Sequence, residues 1–173
     1  MAIYALGDLV PDIHPDAYIH PDATVIGQVT IGAESTVWPS AVLRGDYGRI
    51  EVGARTSIQD GTVVHATQVH ATRIGDDCIV GHLAHLEGCV VEDHVLIGSG
   101  SVVLHDCVVH SGSVVGANAL LPNGTEVPSG ALAVGIPAQI KLGRASTGAF
   151  DFIVAGYVAN GRTYAKELRR LDG

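Results

Sequence analysis

The fold is decided by the stretch VEDHVLIGSGSVVLHDCVVHSGSVVGANALLPNGTEV, which runs from Val91 to Val127. An aliphatic residue returns at every sixth position along it: Val91, Ile97, Val103, Val109, Val115, Leu121 and Val127. A second column of mostly small residues follows four positions after each aliphatic residue, as Ser101 follows Ile97. An amphipathic strand repeats every two residues and an amphipathic helix every 3.6, so a period of six matches neither alone. It predicts a parallel β-helix, in which three hexapeptides form one triangular coil and the coils stack at about the 4.8 Å spacing of neighbouring strands.

The same register extends through most of the chain on both sides of this stretch. Upstream, the aliphatic column continues at Ile13, Ile19, Val25, Ile31, Val37, Leu43, Val52, Ile58, Val64, Ile74, Val80 and Leu86, and downstream it ends at Ala133. A β-sandwich with frequent turns is the alternative, but sandwiches do not keep one register over so many positions. We therefore predict an all-β fold whose main part, residues 1–140, is a parallel β-helix of about seven coils.

A helical pattern follows the repeat. The repeat ends near Pro137, and the residues at 141–148 include the Gly, Ser and Thr expected of a linker. Apolar residues then recur at helical spacing: Phe150, Ile153, Val154, Tyr157, Val158, Tyr164, Leu168 and Leu171. This pattern predicts one C-terminal α-helix over residues 149–171, packed along the β-helix, with Gly161 as its weak point.

Composition argues against several classes of partner. The 173 residues are 47% hydrophobic but only 5% aromatic, which suits thin layers of aliphatic side chains. A net charge of −8 argues against nucleic-acid or anionic-membrane partners, because those require basic patches. No apolar run reaches the length of a membrane span, and the opening MAIYALGDLV does not have the pattern of a signal peptide. The three cysteines show no CxxC spacing, so we expect a reducing, cytoplasmic location.

Polar side chains interrupt the repeat in VGHLAHLEG, Val80 to Gly88. Glu87 directly follows a column residue, just as His65 does one coil earlier, so the two should stack about 5 Å apart and face outward. His85 flanks the same column residue on its other side and should also face outward.

His82 is different because it lies near the corner that precedes this face. Its separation from Glu87 should exceed about 10 Å by strand rise, too far to share an ion with bonds near 2 Å. It can join His65 and Glu87 only from another copy of the chain. The register therefore predicts a parallel homotrimer with sites between subunits.

Three motifs at these positions resemble those of the gamma-class carbonic anhydrases, and the resemblance covers essentially the whole chain. They are RGD at Arg44–Asp46, QDGTVVH at Gln59–His65 and GHLAHLEG at Gly81–Gly88. The resemblance implies a left-handed β-helix. It also implies a bound Zn²⁺, with Fe²⁺ or Co²⁺ as alternatives, and hydration of CO2 to bicarbonate by metal hydroxide. In that family the first and last ligand histidines come from one subunit and the Gly-His from its neighbour.

The resemblance also assigns roles to four further residues. It implies that Arg44 and Asp46 form a charged network at the subunit contact. It implies that Gln59 and Asp60 shape the site around the reacting water.

Two positions depart from the family pattern. Glu87 stands where the family has its last ligand histidine, and Tyr47 stands where the family's archetype has a proton-transferring glutamate. Zinc accepts two histidines and a carboxylate, so Glu87 can be a ligand. His85 alone, His85 together with Glu87, and no metal at all stay open. A carboxylate ligand should make the bound water less acidic and CO2 hydration weaker.

Two other functions also stay open. The first is a hexapeptide-repeat acyltransferase with His85 or His105 as the base, and the second is a non-catalytic binding or scaffold protein. The remaining histidines are expected to be ordinary surface residues: His14, His20, His70, His94, His105 and His110.

Overall fold

A computed structural model describes residues 2–146, 148 and 150–172. Met1, Thr147 in the predicted linker and Ala149 at the predicted helix start lie outside these described residues. Short parallel strands wind into coils with three faces, and one helix follows, so the predicted β-helix with a C-terminal helix is confirmed. No helix in the described part of the chain is long and apolar enough to cross a membrane.

Three faces make up the prism. Two long strands, Thr24–Ile31 and Val42–Val52, contribute to both the first and the second face. The first face adds the strands Ala2–Tyr4, Val63–His65, His85–Glu87, Val102–Val103 and Leu120–Leu121. The second face adds Asp12–Ile13, Thr72–Ile74, Val90–Val91, Val108–Val109 and Glu126–Val127. The third face consists of Tyr18–Ile19, Thr36–Val37, Ser57–Ile58, Ile79–Val80, Leu96–Ile97, Val114–Val115, Leu132–Val134 and Gln139–Lys141, of which the last is antiparallel to its neighbour.

The aliphatic column forms the core. Every predicted column residue is buried except Ile13, which is partly buried at the first coil. The four-residue rule predicts Val90, four positions after Leu86, as an inward residue of the small column, and this assignment is wrong. Val90 faces the outer surface, and Cys89, 1% exposed, takes the inward place. Leu86 and Val91 are five residues apart instead of the usual six. The inward small residue keeps its place two positions before the next aliphatic residue, Val91, and is therefore Cys89.

The helix Phe150–Glu167 packs on the third face. Phe150 and Val154 bury their side chains against Ile79, and Tyr157 packs beside them. Trp38 stacks edge-on against Tyr164, with ring centroids 5.1 Å apart. Most of the few aromatic rings therefore pack in the interface between the helix and the third face.

Two details of the helix differ from the sequence pattern. The helix ends at Glu167 rather than at 171, because Leu168 and Leu171 are exposed and have no apolar surface to cover. Gly161, expected to be a weak point, is buried: a Cβ there would lie 2.6 Å from Cγ2 of Thr36. The glycine lets the helix approach the third face closely.

Candidate metal centre

Register alone brings three functional side chains into a row on the first face. Arg44, His65 and Glu87 are direct partners on neighbouring parallel strands, so the predicted stacking of Glu87 on His65 is observed. All three follow a fully buried column residue, and the pleat turns them outward.

His65 lies between two carboxylates. Its Nδ1 is 2.7 Å from Oε1 of Glu87, and its Nε2 is 3.0 Å from Oδ1 of Asp46. The side chain is only 12% exposed. A ring held at both nitrogens has a fixed orientation, as the imidazole ligands of metal sites do.

Glu87 is surrounded by imidazoles. Its Oε2 lies 3.3 Å from Nε2 of His85, and its Oε1 lies 3.7 Å from Nε2 of His105. Burial by itself raises the pKa of this carboxyl group, but His65, His105 and His85 together outweigh burial and lower the pKa. Glu87 is therefore held as a carboxylate, the form in which it can bind a cation.

Arg44 and Asp46 form an ion pair that continues this row. The Nη1 of Arg44 donates to Oδ2 of Asp46. Burial raises the pKa of Asp46, yet the hydrogen bonds from His65 and Arg44 bring the pKa below its ordinary value. The ion pair therefore holds the Nε2 edge of the His65 ring, which faces away from Glu87.

His82 lies apart from this group, at the corner that precedes the strand His85–Glu87. Its Nδ1 is 2.9 Å from Oδ2 of Asp60, and its side chain is 51% exposed. Gln59 is buried next to Asp60, and the side chain of Tyr157 from the C-terminal helix lies near both residues. Burial and the charge of Asp60 raise the pKa of Tyr157.

The residues of the first face suit a divalent cation by their chemistry. Imidazole and carboxylate are the donors that zinc and the neighbouring transition metals accept. The buried Nε2 of His105 lies beside Glu87 and has no hydrogen-bond partner in the described part of the chain, which is rare for a buried polar atom. Within one described chain, however, no three such side chains converge closely enough to hold a metal.

Three residues near the site were not assigned to it by the sequence: His70, His105 and Tyr157. His105 and His70 were expected to be ordinary surface histidines, but their rings stack with centroids 5.5 Å apart, beside the cluster that Glu87 forms with His65 and His85 (the Glu87 cluster). Tyr157 was recognised only as an apolar position of the helix. His20 is also not a surface residue, since it is 9% exposed. For His105 a signal did exist: it lies two residues after Val103, which pairs with Leu86 on the next coil.

Comparisons with known proteins agree with the architecture. The family described as "Bacterial transferase hexapeptide (six repeats)" matches residues 11–45, 71–103 and 88–123. A mitochondrial protein named gamma carbonic anhydrase 1, from Arabidopsis thaliana, is 42% identical over 138 residues, covering 76% of this chain and 50% of the relative. The chain thus spans about half the length of the curated relatives it matches.

Two solved structures match almost end to end. A hexapeptide transferase family protein from Anaplasma phagocytophilum is 35% identical, with a TM-score of 0.89 over 94% of this chain and 98% of that one. The product of the BC4754 gene of Bacillus cereus, assumed to be an acetyltransferase, is 32% identical, with a TM-score of 0.90 over 94% and 96%. The chain belongs to the bacterial hexapeptide-repeat transferase family, in the group similar to the gamma-class carbonic anhydrases.

Proposed function

We propose that this chain forms a homotrimer that hydrates CO2 to bicarbonate at a divalent cation held between subunits. The ligands would be His65 and Glu87 from one subunit and His82 from its neighbour. The observation that carries the proposal is the stack of Glu87 on His65, with 2.7 Å between Nδ1 and Oε1, on an outward face. Zn²⁺ is the first candidate, because it accepts two histidines and a carboxylate with an open fourth position.

The cation would supply Lewis-acid activation of water at neutral pH. Asp46 accepts a hydrogen bond from Nε2 of His65, so Nδ1, which contacts Glu87, is the nitrogen that would bind the cation once the ion replaces the proton between them. Arg44 in turn holds Asp46. These residues orient the ligand before any ion is bound.

At the corner of the neighbouring subunit, Asp60 would play the same part for His82. Its carboxylate contacts Nδ1, so Nε2 is the nitrogen left to reach the shared site. Gln59 and Tyr157 lie next to Asp60 and would orient the reacting water and CO2. His85 stays an alternative ligand, since its Nε2 lies 3.3 Å from Glu87.

We also propose a reducing compartment such as the cytoplasm. All three cysteines are free and buried, and burial raises the pKa of Cys78 and Cys89 to about 12. Such thiols neither pair nor react readily.

An acyltransferase is the second candidate, favoured by the assumed acetyltransferase activity of the Bacillus cereus relative. Metal analysis of the purified protein separates the two proposals. About one divalent ion per chain supports the first, and a metal-free protein that transfers an acyl group from a thioester supports the second.

The experiment that tests the shared site mixes two variants. His65→Ala and His82→Ala should each lose the metal. After subunit exchange in equal amounts, about one interface in four combines an intact His65 with an intact neighbouring His82, because each is present at half the positions. Metal content and CO2 hydration should recover to roughly that fraction. His110→Ala, on the second face, is the control and should keep its metal throughout; a verified mixed trimer that regains none would contradict the proposal.

A further inference from the structure

One buried ring nitrogen faces the Glu87 cluster without a partner. In the described residues, only Oη of Tyr18 and Nε2 of His105 are buried side-chain polar atoms that lack a hydrogen bond. The His105 atom lies 3.7 Å from Oε1 of Glu87, just beyond hydrogen-bond distance. Leaving a buried polar group without a hydrogen bond is costly, and such groups are rare in folded proteins.

The fold places His105 there by means of a glycine. Gly88, at φ +63°, lies directly beneath both rings: a Cβ on it would come within 2.8 Å of Cδ2 of His105 and 2.7 Å of Cβ of His70. The absence of a side chain at Gly88 lets His70 and His105 stack nearly parallel, at 17°. His70 is itself fixed, because its Nδ1 is 2.8 Å from Oδ1 of Asp106. His105 is therefore held by packing and points at Glu87.

The two oxygens of Glu87 face different histidines. Oε1 faces His65 and His105, and Oε2 faces His85. A glutamate side chain has three rotatable bonds, so it needs such contacts to present one oxygen in one direction. A carboxylate that replaces an imidazole ligand needs this support more than the stiffer imidazole would.

We propose that His105 is a positioning residue, which donates a hydrogen bond from Nε2 to Glu87 and aims that carboxylate at the cation. This inference rests on the proposed function, since it concerns the same ion. Outer contacts of this kind typically change metal affinity by 10–100-fold.

Two substitutions separate the donor from the packing. His105→Phe keeps a ring stacked on His70 but has no N–H, whereas His105→Gln keeps an N–H near the place of Nε2 but loses the stack. The dissociation constant for Co²⁺ is measured by chelator competition, and the visible absorption band of bound Co²⁺ reports its coordination. His110→Ala is the matched control, because His110 also contacts two glutamates but lies on another face.

We expect His105→Phe to bind Co²⁺ about 10–100-fold more weakly than the parent and to have an altered band. His105→Gln should stay within about threefold of the parent, and His110→Ala should be unchanged. Parent-like binding by His105→Phe would overturn the inference and leave the metal site standing. His105→Gln as weak as His105→Phe would also overturn it, because the donor would then not matter. A parent trimer that binds no Co²⁺ would overturn the proposed function together with this inference.

Discussion

At the scale of single residues, the chemistry of the first face depends on one carboxylate. Glu87 contributes a negative charge where the resembling family has a neutral imidazole, and three histidines of its own chain surround it. Each neighbour stabilises the charged form, which is why the pKa of Glu87 is lowered despite burial. The same charge leaves less positive charge at a bound cation to activate water.

Replacing Glu87 by histidine should therefore increase activity. The stack on His65 already places position 87, so the substitution keeps the ligand on the same face and removes its negative charge. We expect CO2 hydration at neutral pH to rise roughly tenfold, since one unit in the pKa of water is a factor of ten in its reactive form.

In the proposed hydration of CO2, the proton released from the bound water must also leave the site. Tyr47 stands at the position where the archetype of the resembling family has a proton-transferring glutamate. Tyr47 is 62% exposed, and its ring lies edge-on to His65 at 6.4 Å. Stopped-flow CO2 hydration should rank Glu87→His with Tyr47→Glu first, Glu87→His second and the parent last. A parent as fast as the double variant would show that the carboxylate does not impair the site.

A pH dependence is expected at the Arg55–Asp77 pair near the helix. The guanidinium donates two hydrogen bonds of 2.6 Å to Asp77, and they lower the pKa of that carboxyl group against the opposing effect of burial. A lowered pKa in the folded state stabilises the protein above the unfolded pKa of about 3.9, and this stability is lost as the pH falls through the folded value. Asp77→Asn should cost about 1–2 kcal/mol at pH 7 and much less at pH 3.

Asn is a suitable replacement because Asp77 has φ +55°, a conformation that Asn tolerates. Thermal unfolding at the two pH values measures the effect. Asp16→Asn, at a carboxylate that is 72% exposed, is the control and should change little at either pH. An equal loss at pH 3 and pH 7 would mean that Asp77 acts through packing rather than through its charge.

At the scale of secondary-structure elements, one glycine sets the distance between the helix and the β-helix. Gly161→Ala would bring a Cβ within 2.6 Å of Thr36 and 3.3 Å of Tyr18. The side chain of Thr36 cannot easily move away, because it is buried and hydrogen-bonded to Ser57. Overpacking of this kind typically costs about 1–3 kcal/mol.

Gly156 is the matched control in the same helix, since nothing lies within 4 Å of its added Cβ. Gly156→Ala should stabilise by roughly 0.5–1 kcal/mol through helix propensity. Thermal unfolding, with fluorescence of Trp38 as a local probe, should separate the two variants in opposite directions. Equal stability of both would refute the close approach at Gly161.

The elements were the most predictable level of this molecule. A column of aliphatic residues is a local pattern, so its period gave the coils, the inward positions and the row from His65 to Glu87. Two exceptions are informative. Val90 was assigned to the wrong face at the one step of the column that is a residue short. The helix ends at Glu167, before Leu168 and Leu171, because no surface of the β-helix covers these two side chains.

The contacts that cross elements were only partly predictable, because register places Val103, two residues before His105, beside Leu86 but does not fix where the ring of His105 points. His105 reaches Glu87 only because Gly88 leaves room for two rings, and Tyr157 meets Gln59 only because the helix folds back on the third face. Both contacts depend on side-chain directions in three dimensions, which a period does not encode.

At the scale of the whole molecule, an exposed corner points to the proposed trimer. Leu83 follows His82, is 72% exposed and has φ +58°. The left-handed conformation belongs to the turn itself, because Ser40 and Asn118 adopt it at the same corner of other coils, with φ of 60° and 57°. The unusual feature of the corner at Leu83 is its large exposed apolar side chain. We interpret Leu83 as an apolar contact that seats His82 against the neighbouring subunit.

Leu83→Asp should therefore shift the protein from trimer to monomer at micromolar concentration and remove the metal with it. A charge placed in the centre of an interface costs several kcal/mol when it is desolvated. Sedimentation velocity measures the change. Phe152→Asp, at a similarly exposed apolar residue of the helix, should leave the trimer intact. A trimeric, metal-loaded Leu83→Asp would place the subunit contact elsewhere.

The last strand of the prism, Gln139–Lys141, runs against the direction of all the others on its face. A stack of parallel coils that simply stopped would present a row of unpaired amide and carbonyl groups, ready to receive the first coil of another molecule. Growth by such end-to-end addition would give fibrils. By reversing direction, this short strand covers the third-face edge with a ladder into which a parallel coil does not fit. On the third face, the repetition that would let further parallel coils be added is therefore interrupted after the strand Leu132–Val134.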